Sequence, residues 1–426
     1  MTSTGRVRRS RILRDFVFVL HLTVGAAAGV PVLVMAATGA ILSTEGMVTA
    51  IAERRHQVAP PVTSDPPARK IAPAFLLNVV REWSAELESP FVATDLRYRS
   101  DPQAPARVSS GRYRHVFVDP YRGEVVGTAN PTAFYEEVRE WHRWFNVPGR
   151  MVRDGRAVSG AANILFFLLL VTGPILWWPK QGGRRAFLAG FLFRSCEGRA
   201  ARDNNRHRVV GVWSILPLSV IVLTGSLVSY PELADRVYPA AGQALPAGGW
   251  PGTALEVPAE PGTASEPARV ERPEGASEAP PSASDEDDPD LGAVLRSAEE
   301  WVDGWQTLTL ALPVRRDGTV EALIAGGGRG RPQMTGVLVV DAASGVPREW
   351  TPFSAVAPAR RAREIFQHAH TGEYFGAAGQ LAAGIFSLGA CFMVWTGLSM
   401  AFRRLRRWRG RVTAANPDPA SARIQS

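Results

Sequence analysis

The chain has 426 residues, 46% of them apolar and 21% charged, with a formal net charge of +8 and two cysteines. Cys196 lies in an arginine-rich stretch and Cys391 in an apolar one, so they form no disulfide framework, and a small cross-linked secreted domain is excluded. The positive charge is clustered at Arg6–Arg14, Lys180–Arg208 and Arg403–Arg411, each beside an apolar block. That is the positive-inside pattern of a membrane protein; no nucleic acid is expected as a partner.

A mean hydropathy near zero hides four apolar blocks in a polar remainder. Blocks of about 20 residues match the hydrocarbon thickness of a bilayer at about 1.5 Å rise per helical residue. In chain order, residues 1–15 are a basic flank. Arg8-Arg9 has the look of a twin-arginine signal, but the apolar run after it is too long for a signal h-region and carries no cleavage site, so an uncleaved span is expected over 16–43. Pro31 lies inside it and predicts a kink. Residues 44–157 read as an external α+β unit: helical spacing at Pro73–Trp83, a strand-like run at Tyr113–Val118, and a turn from Asp119 to Gly123. A second span is expected over 158–178, closed by Trp177-Trp178, then a basic loop over 179–206 and a third span over 207–230.

Residues 231–290 are rich in Pro, Ala, Gly, Ser and Glu and end in SASDEDDPD, a composition expected to stay disordered as a linker. A second external unit is expected over 291–378, with a helix at Leu291–Trp301 and a turn from Asp341 to Gly345, then a fourth span over 379–402 and a tail over 403–426.

The two halves repeat. His21–Ser43 returns as His207–Ser229, with Gly25/Gly211, Pro31/Pro217, Thr38/Thr224, Gly39/Gly225 and Ser43/Ser229 in register. Leu77, Glu82 and Trp83 recur as Leu295, Glu300 and Trp301. The expected fold is a membrane α-helical protein with four transmembrane helices in two tandem span–unit–span repeats, both termini on the arginine-rich, cytoplasmic side.

Five histidines lie near span ends: His21, His142, His207, His368 and His370. His21 and His207 precede their Thr-Gly pairs by the same 17 residues (21 to 38 and 207 to 224), which places them at equal depth near one membrane face. His142 and His370 precede spans two and four and form a second candidate pair, with His368 as the alternative to His370. Single histidines at span ends also serve as interfacial polar residues; a symmetric pair at matched depth suits haem ligation, another metal or a proton relay. Glycines beside them leave room for a flat ligand or for helix packing. The four Thr-Gly pairs, at 38–39, 172–173, 224–225 and 396–397, read as packing sites. No nucleotide-binding, hydrolase or zinc-protease motif is present, so no catalytic residue is named.

The histidines, spaced glycines and closing Thr-Gly pairs make the chain resemble the PepSY-associated transmembrane proteins: His21-x3-Gly25-x3-Gly29 with Thr38-Gly39, Glu140-Trp-His142-Arg-Trp before Thr172-Gly173, His207-x3-Gly211 with Thr224-Gly225, and His370-Thr-Gly372 before Thr396-Gly397. The resemblance implies PepSY-like external units, each a helix over a small antiparallel sheet. Through members that reduce ferric siderophores, it implies two haems b held by His21 with His207 and by His142 with His370, in the inner membrane. The implied partners are membrane lipid, a quinol or cytoplasmic electron donor, and a ferric siderophore or chelate as periplasmic acceptor. The competing expectation is a membrane-anchored binding or regulatory protein without redox activity.

Overall fold

The computed structural model describes residues 3–61, 69–87, 91–111, 114–128, 131–179, 183–229, 289–327 and 330–415. The expected linker lies outside these, apart from its last two residues.

Four long helices form a bundle: α1 (Ser3–Leu42), α5 (Val152–Trp177), α7 (Arg199–Ser229) and α10 (Gly376–Ala415). All four are long and apolar enough to cross a membrane. They extend past the expected spans into the basic flanks, because arginine is a good helix former and hydropathy marks only the apolar portion. Pro31 and Pro217 lie inside continuous helices. The neighbours around the bundle are α1–α5, α5–α7, α7–α10 and α10–α1, so α1 and α7 stand on one diagonal. Large apolar side chains such as Leu216 and Trp395 point outward, as lipid-facing positions do. Polar contacts inside are sparse and specific; Asn163 Nδ2 donates to Val222 O at 2.9 Å and Ser226 Oγ at 2.7 Å, joining α5 to α7.

At one end of the bundle sits a single antiparallel sheet of eight strands, in the order β4-β3-β2-β1-β5-β6-β7-β8. The first four are β1 (Asp95–Arg99), β2 (Ala106–Ser110), β3 (Arg114–Val118) and β4 (Val125–Gly127). The others are β5 (Thr307–Ala311), β6 (Thr319–Ala325), β7 (Thr335–Asp341) and β8 (Pro347–Pro352). The two external units are therefore joined rather than separate. Strand β1 would otherwise be an open edge, and it pairs with β5 over five residues from Asp95↔Ala311 to Arg99↔Thr307.

Strand alternation divides the sheet into an apolar and a polar face. Leu96, Tyr98, Val108, Val116, Leu308, Leu310, Ile324 and Leu338 are buried against α3 (Pro73–Ser84) and α8 (Leu291–Trp301), with Leu76, Val80, Val294 and Leu295 opposite them. Pro73 begins α3 at its first helical position, and Asp290 caps α8 by accepting from Ala293 N at 2.9 Å. The two Asp-to-Gly turns form alike: Asp119 Oδ1 accepts from the backbone of Tyr121 and Arg122, Asp341 Oδ1 from that of Ala343 and Ser344, and Gly123 and Gly345 both take positive φ.

The other face, with Asp95, Arg97, Arg107, Ser109, His115 and Thr309, is turned toward the bundle across a cavity of about 1020 Å³. Three shorter helices shape that end: α2 (Glu45–Arg54), α4 (Thr132–Trp144) and α9 (Pro358–Thr371); a short helix, α6 (Gly183–Ala189), lies at the opposite end.

Burial first, then the charges of Arg107 and Arg97, push the His115 imidazole down to about 3. The unfolded chain takes up this proton near pH 6.5 and the folded chain only near 3, so stability should fall as pH drops through that window. Thermal melting across pH 3–7 should show this slope, and His115→Phe should flatten it.

Candidate functional site

Each of the four span-end histidines meets the closing Thr-Gly region of another helix. His21 Nδ1 lies 2.8 Å from Thr172 Oγ1, His142 Nδ1 3.0 Å from Thr38 Oγ1, and His207 Nδ1 3.0 Å from Thr396 Oγ1. His370 Nδ1 lies 2.8 Å from the carbonyl of Ile221, three residues before Thr224. The same position, three residues before the threonine, supplies a carbonyl to two of the others: Met35 to His142 and Met393 to His207.

This pattern decides where the imidazole proton sits. A carbonyl can only accept. Thr38, Thr172 and Thr396 direct their hydroxyl protons to the carbonyls of Val34, Leu168 and Phe392 at 2.7, 2.8 and 2.9 Å, so toward the imidazole each hydroxyl oxygen accepts. In His370 Nδ1 must therefore be the donor, and with the threonine protons held in their own helices it is the donor in His21, His142 and His207 as well. In the neutral ring that leaves the lone pair on Nε2, the atom that can bind a metal.

The glycine of each pair clears the path of the ring. A Cβ at Gly225 would stand 2.7 Å from His370 Cε1, and one at Gly39 would stand 3.3 Å from His142 Cε1. At Gly397 and Gly173 the distances to His207 and His21 are 3.4 and 3.9 Å. The Thr-Gly pairs, read from sequence as packing sites, are thus histidine receptors: one residue accepts the Nδ1 proton or brings the carbonyl that does, and the next makes room. The signal was present in the sequence as one Thr-Gly pair for each of the four repeat-matched histidines.

The histidines gather into two groups. His142 and His370, from α4 and α9, face each other with ring centroids 6.2 Å apart and planes at 54°. His21 and His207 stand on the diagonal helices α1 and α7 within electrostatic range of each other. The groups lie at opposite ends of the bundle, separated by the run from His21 to Thr38 on α1, about 25 Å.

His142 owes its place to the corner between α4 and the bundle. Arg139 Nη2 donates to Glu45 Oε2 at 2.6 Å, the Tyr135 and Thr44 hydroxyls are 2.8 Å apart, and Ser159 Oγ donates to Arg143 O at 2.7 Å. Phe145 ends α4 in the left-handed region with φ 57°. On the opposite side, Gly372 ends α9 with φ 77°, directly after the turn that carries His370. His368 does not join the pair. Its Nδ1 lies 3.1 Å from Glu373 Oε2 and its Nε2 3.9 Å from Glu364 Oε2, so the ring is committed to carboxylates. His115 occupies β3, and His56 stacks on Phe117 with centroids 4.9 Å apart.

The family model for the PepSY-associated TM region matches residues 18–404. The chain belongs to this family. A search of curated proteins finds no match. The matched region includes His21, His142, His207 and His370 and their Thr-Gly partners, and with four helices long and apolar enough to cross a membrane it makes this family member a membrane protein.

Nitrogen NMR of ¹⁵N-histidine-labelled protein prepared without added metal or cofactor tests the tautomer assignment. His21, His142, His207 and His370 should all appear as Nδ1–H tautomers; Nε2–H signals from them would contradict it.

Proposed function

We propose that the protein is a di-haem b electron-transfer protein of the bacterial inner membrane, passing electrons across the bilayer to a ferric chelate. The observation that carries this reading is the His142–His370 geometry. Two imidazole nitrogens each about 2 Å from one metal put their ring centroids about 6 Å apart, and these rings are 6.2 Å apart with Nε2 available on both. The surroundings fit a macrocycle: Val32, Ala36, Phe166, Leu218 and Val222 line the cavity beside the pair, and Gly39 and Gly225 thin the helix faces behind the rings.

His142 with His370 and His21 with His207 would each hold one haem, which supplies a one-electron iron couple when bound. The protein's own part is orientation. The Nδ1–H bonds fix the rotation of each ring about its Cβ–Cγ bond and raise the basicity of Nε2, as carbonyl and carboxylate partners do for metal-bound histidines. The bundle holds the two pairs about 25 Å apart along α1, most of the roughly 30 Å of hydrocarbon.

In this reading the chain is span–PepSY unit–span twice over, with the arginine clusters and both termini in the cytoplasm and the sheet in the periplasm. A quinol or a cytoplasmic reductant delivers electrons near His21 and His207. The acceptor meets the His142–His370 end, and a siderophore-type ferric chelate suits it, because hard oxygen donors hold ferric iron more tightly than ferrous. A membrane-anchored regulator without redox activity would not need four imidazoles sharing one tautomer, with His142 and His370 set ring against ring.

Protein purified from haem-replete cells should be red, with two haems b per chain. His142→Ala and Gly225→Ala should each reduce haem content to about one per chain, by loss of a ligand and by displacement of His370 respectively. A colourless wild type, or haem content unchanged in both variants, would refute the reading.

A further inference from the structure

The stretch between α5 and α7, read from sequence as a basic loop, folds back against the bundle. Trp177 Nε1 donates to Gly190 O at 3.2 Å and Trp213 Nε1 to Phe191 O at 3.1 Å. The Trp177 ring meets Phe187 and Phe191 edge-on, with centroids 5.3 and 5.0 Å apart, and Phe191 meets Trp213 at 5.8 Å. Trp213 lies six residues beyond His207 on α7, about 9 Å further toward the middle of the span. The fold-back therefore reaches the level of the apolar part of the bundle. On its outer side Leu188, Leu192 and Phe193, with the neighbouring Trp178 and Trp213, are each 51–65% exposed. In water such an apolar patch is a liability; at a bilayer boundary, aromatic and aliphatic side chains beside arginine are in the setting they favour.

Three arginines converge where this element joins the bundle. Arg14, on α1, donates to Leu176 O at 2.6 Å and to Trp178 O at 3.1 Å; Arg208, on α7, donates to Trp177 O at 2.9 Å. Arg14 and Arg194 both lie within electrostatic range of Arg208. Arg194 is tied to α7 through its backbone N–H, which donates to Asn205 Oδ1 at 3.0 Å. The carbonyls that accept from Arg14 and Arg208 are the last of α5 and its cap. A helix C-terminus carries about half a negative charge, too little to balance three guanidinium ions. Each guanidinium also has five N–H groups, of which these bonds use one or two. Among the described residues no carboxylate lies within ion-pair distance of the three; Asp203, earlier on α7, is held by Arg403 at 2.7 Å.

We propose that residues 183–194 lie in the headgroup boundary of the membrane and, with Arg14 and Arg208, bind the phosphate of an anionic phospholipid whose acyl chains pass along α7. A phospholipid suits the place better than a soluble anion because the arginines border an apolar surface that continues down the span. Trp213, Leu216 and Val220 share one face of α7 and are all exposed. A zwitterionic headgroup brings its own cation and leaves the excess charge in place; an anionic one removes it. Arginine suits the task because its planar guanidinium presents paired donors to phosphate oxygens. The site requires only that the four helices span a membrane, not that haem is bound.

Native mass spectrometry of the full-length protein, released from a non-ionic detergent with added phosphatidylglycerol or phosphatidylcholine, tests this. Phosphatidylglycerol should stay bound to the wild type under conditions that strip phosphatidylcholine. Arg194→Gln and Arg208→Gln should each lower phosphatidylglycerol retention about fivefold, the size expected for one basic side chain at an anionic membrane surface. Arg194 is exposed, so its variant tests the site even if Arg208→Gln fails to fold. Equal retention of the two lipids by the wild type, or equal retention of phosphatidylglycerol by wild type and Arg194→Gln, would overturn the proposal. Displacement of the lipid by inorganic phosphate would also overturn it, by marking a site for a soluble anion.

Discussion

The bond on which the site depends is the one from each histidine Nδ1–H to an acceptor on another helix. A buried imidazole with an unpaired nitrogen would be costly, and a free ring could rotate. Here one nitrogen is committed and the other released, four times over. Three of the acceptors are threonine hydroxyls whose own protons are held within their helix. The fourth is the bare carbonyl of Ile221. These bonds also join elements distant in sequence: α1 to α5, α4 to α1, α7 to α10 and α9 to α7. The same contacts therefore align the helices and leave the Nε2 lone pairs unprotonated.

The sheet completes the arrangement from above. Joining β1 to β5 removes two edges and makes one rigid roof from the strands of both halves. Its apolar face is consumed by α3 and α8, which leaves the polar face no choice but to look toward the bundle. The cavity follows from that geometry. It is bounded below by the facing imidazoles and above by arginines, so the charged groups of the sheet stand over the apolar part of the bundle.

Much of this was legible in the sequence. The four apolar blocks, the helices over 73–84 and 291–301 and the paired Asp-to-Gly turns carry local patterns that hydropathy, spacing and turn chemistry reveal. The approach of His142 to His370 was legible because the repeat placed them at matching positions before spans two and four. The role of the threonines was not. Thr38 looks like any small residue near a helix end, and its partner His142 lies on another helix, so periodicity in α1 has nothing to show. The choice between His370 and His368 was hidden for a similar reason: it turns on Glu373 and Glu364 capturing one ring and on Gly225 admitting the other. The fusion of two units into one sheet depends on pairing between residues near 97 and 309, beyond the reach of any local signal.

The central claim is that His142 and His370 bind one iron through their Nε2 atoms. Low-temperature electron paramagnetic resonance of the oxidised protein tests this most directly. Low-spin ferric haem with two imidazole ligands is expected at both sites, with the signal of the His142–His370 site lost in His370→Ala and retained in His368→Ala. A high-spin five-coordinate signal in the wild type, or loss of the bis-imidazole signal with His368 rather than His370, would contradict it.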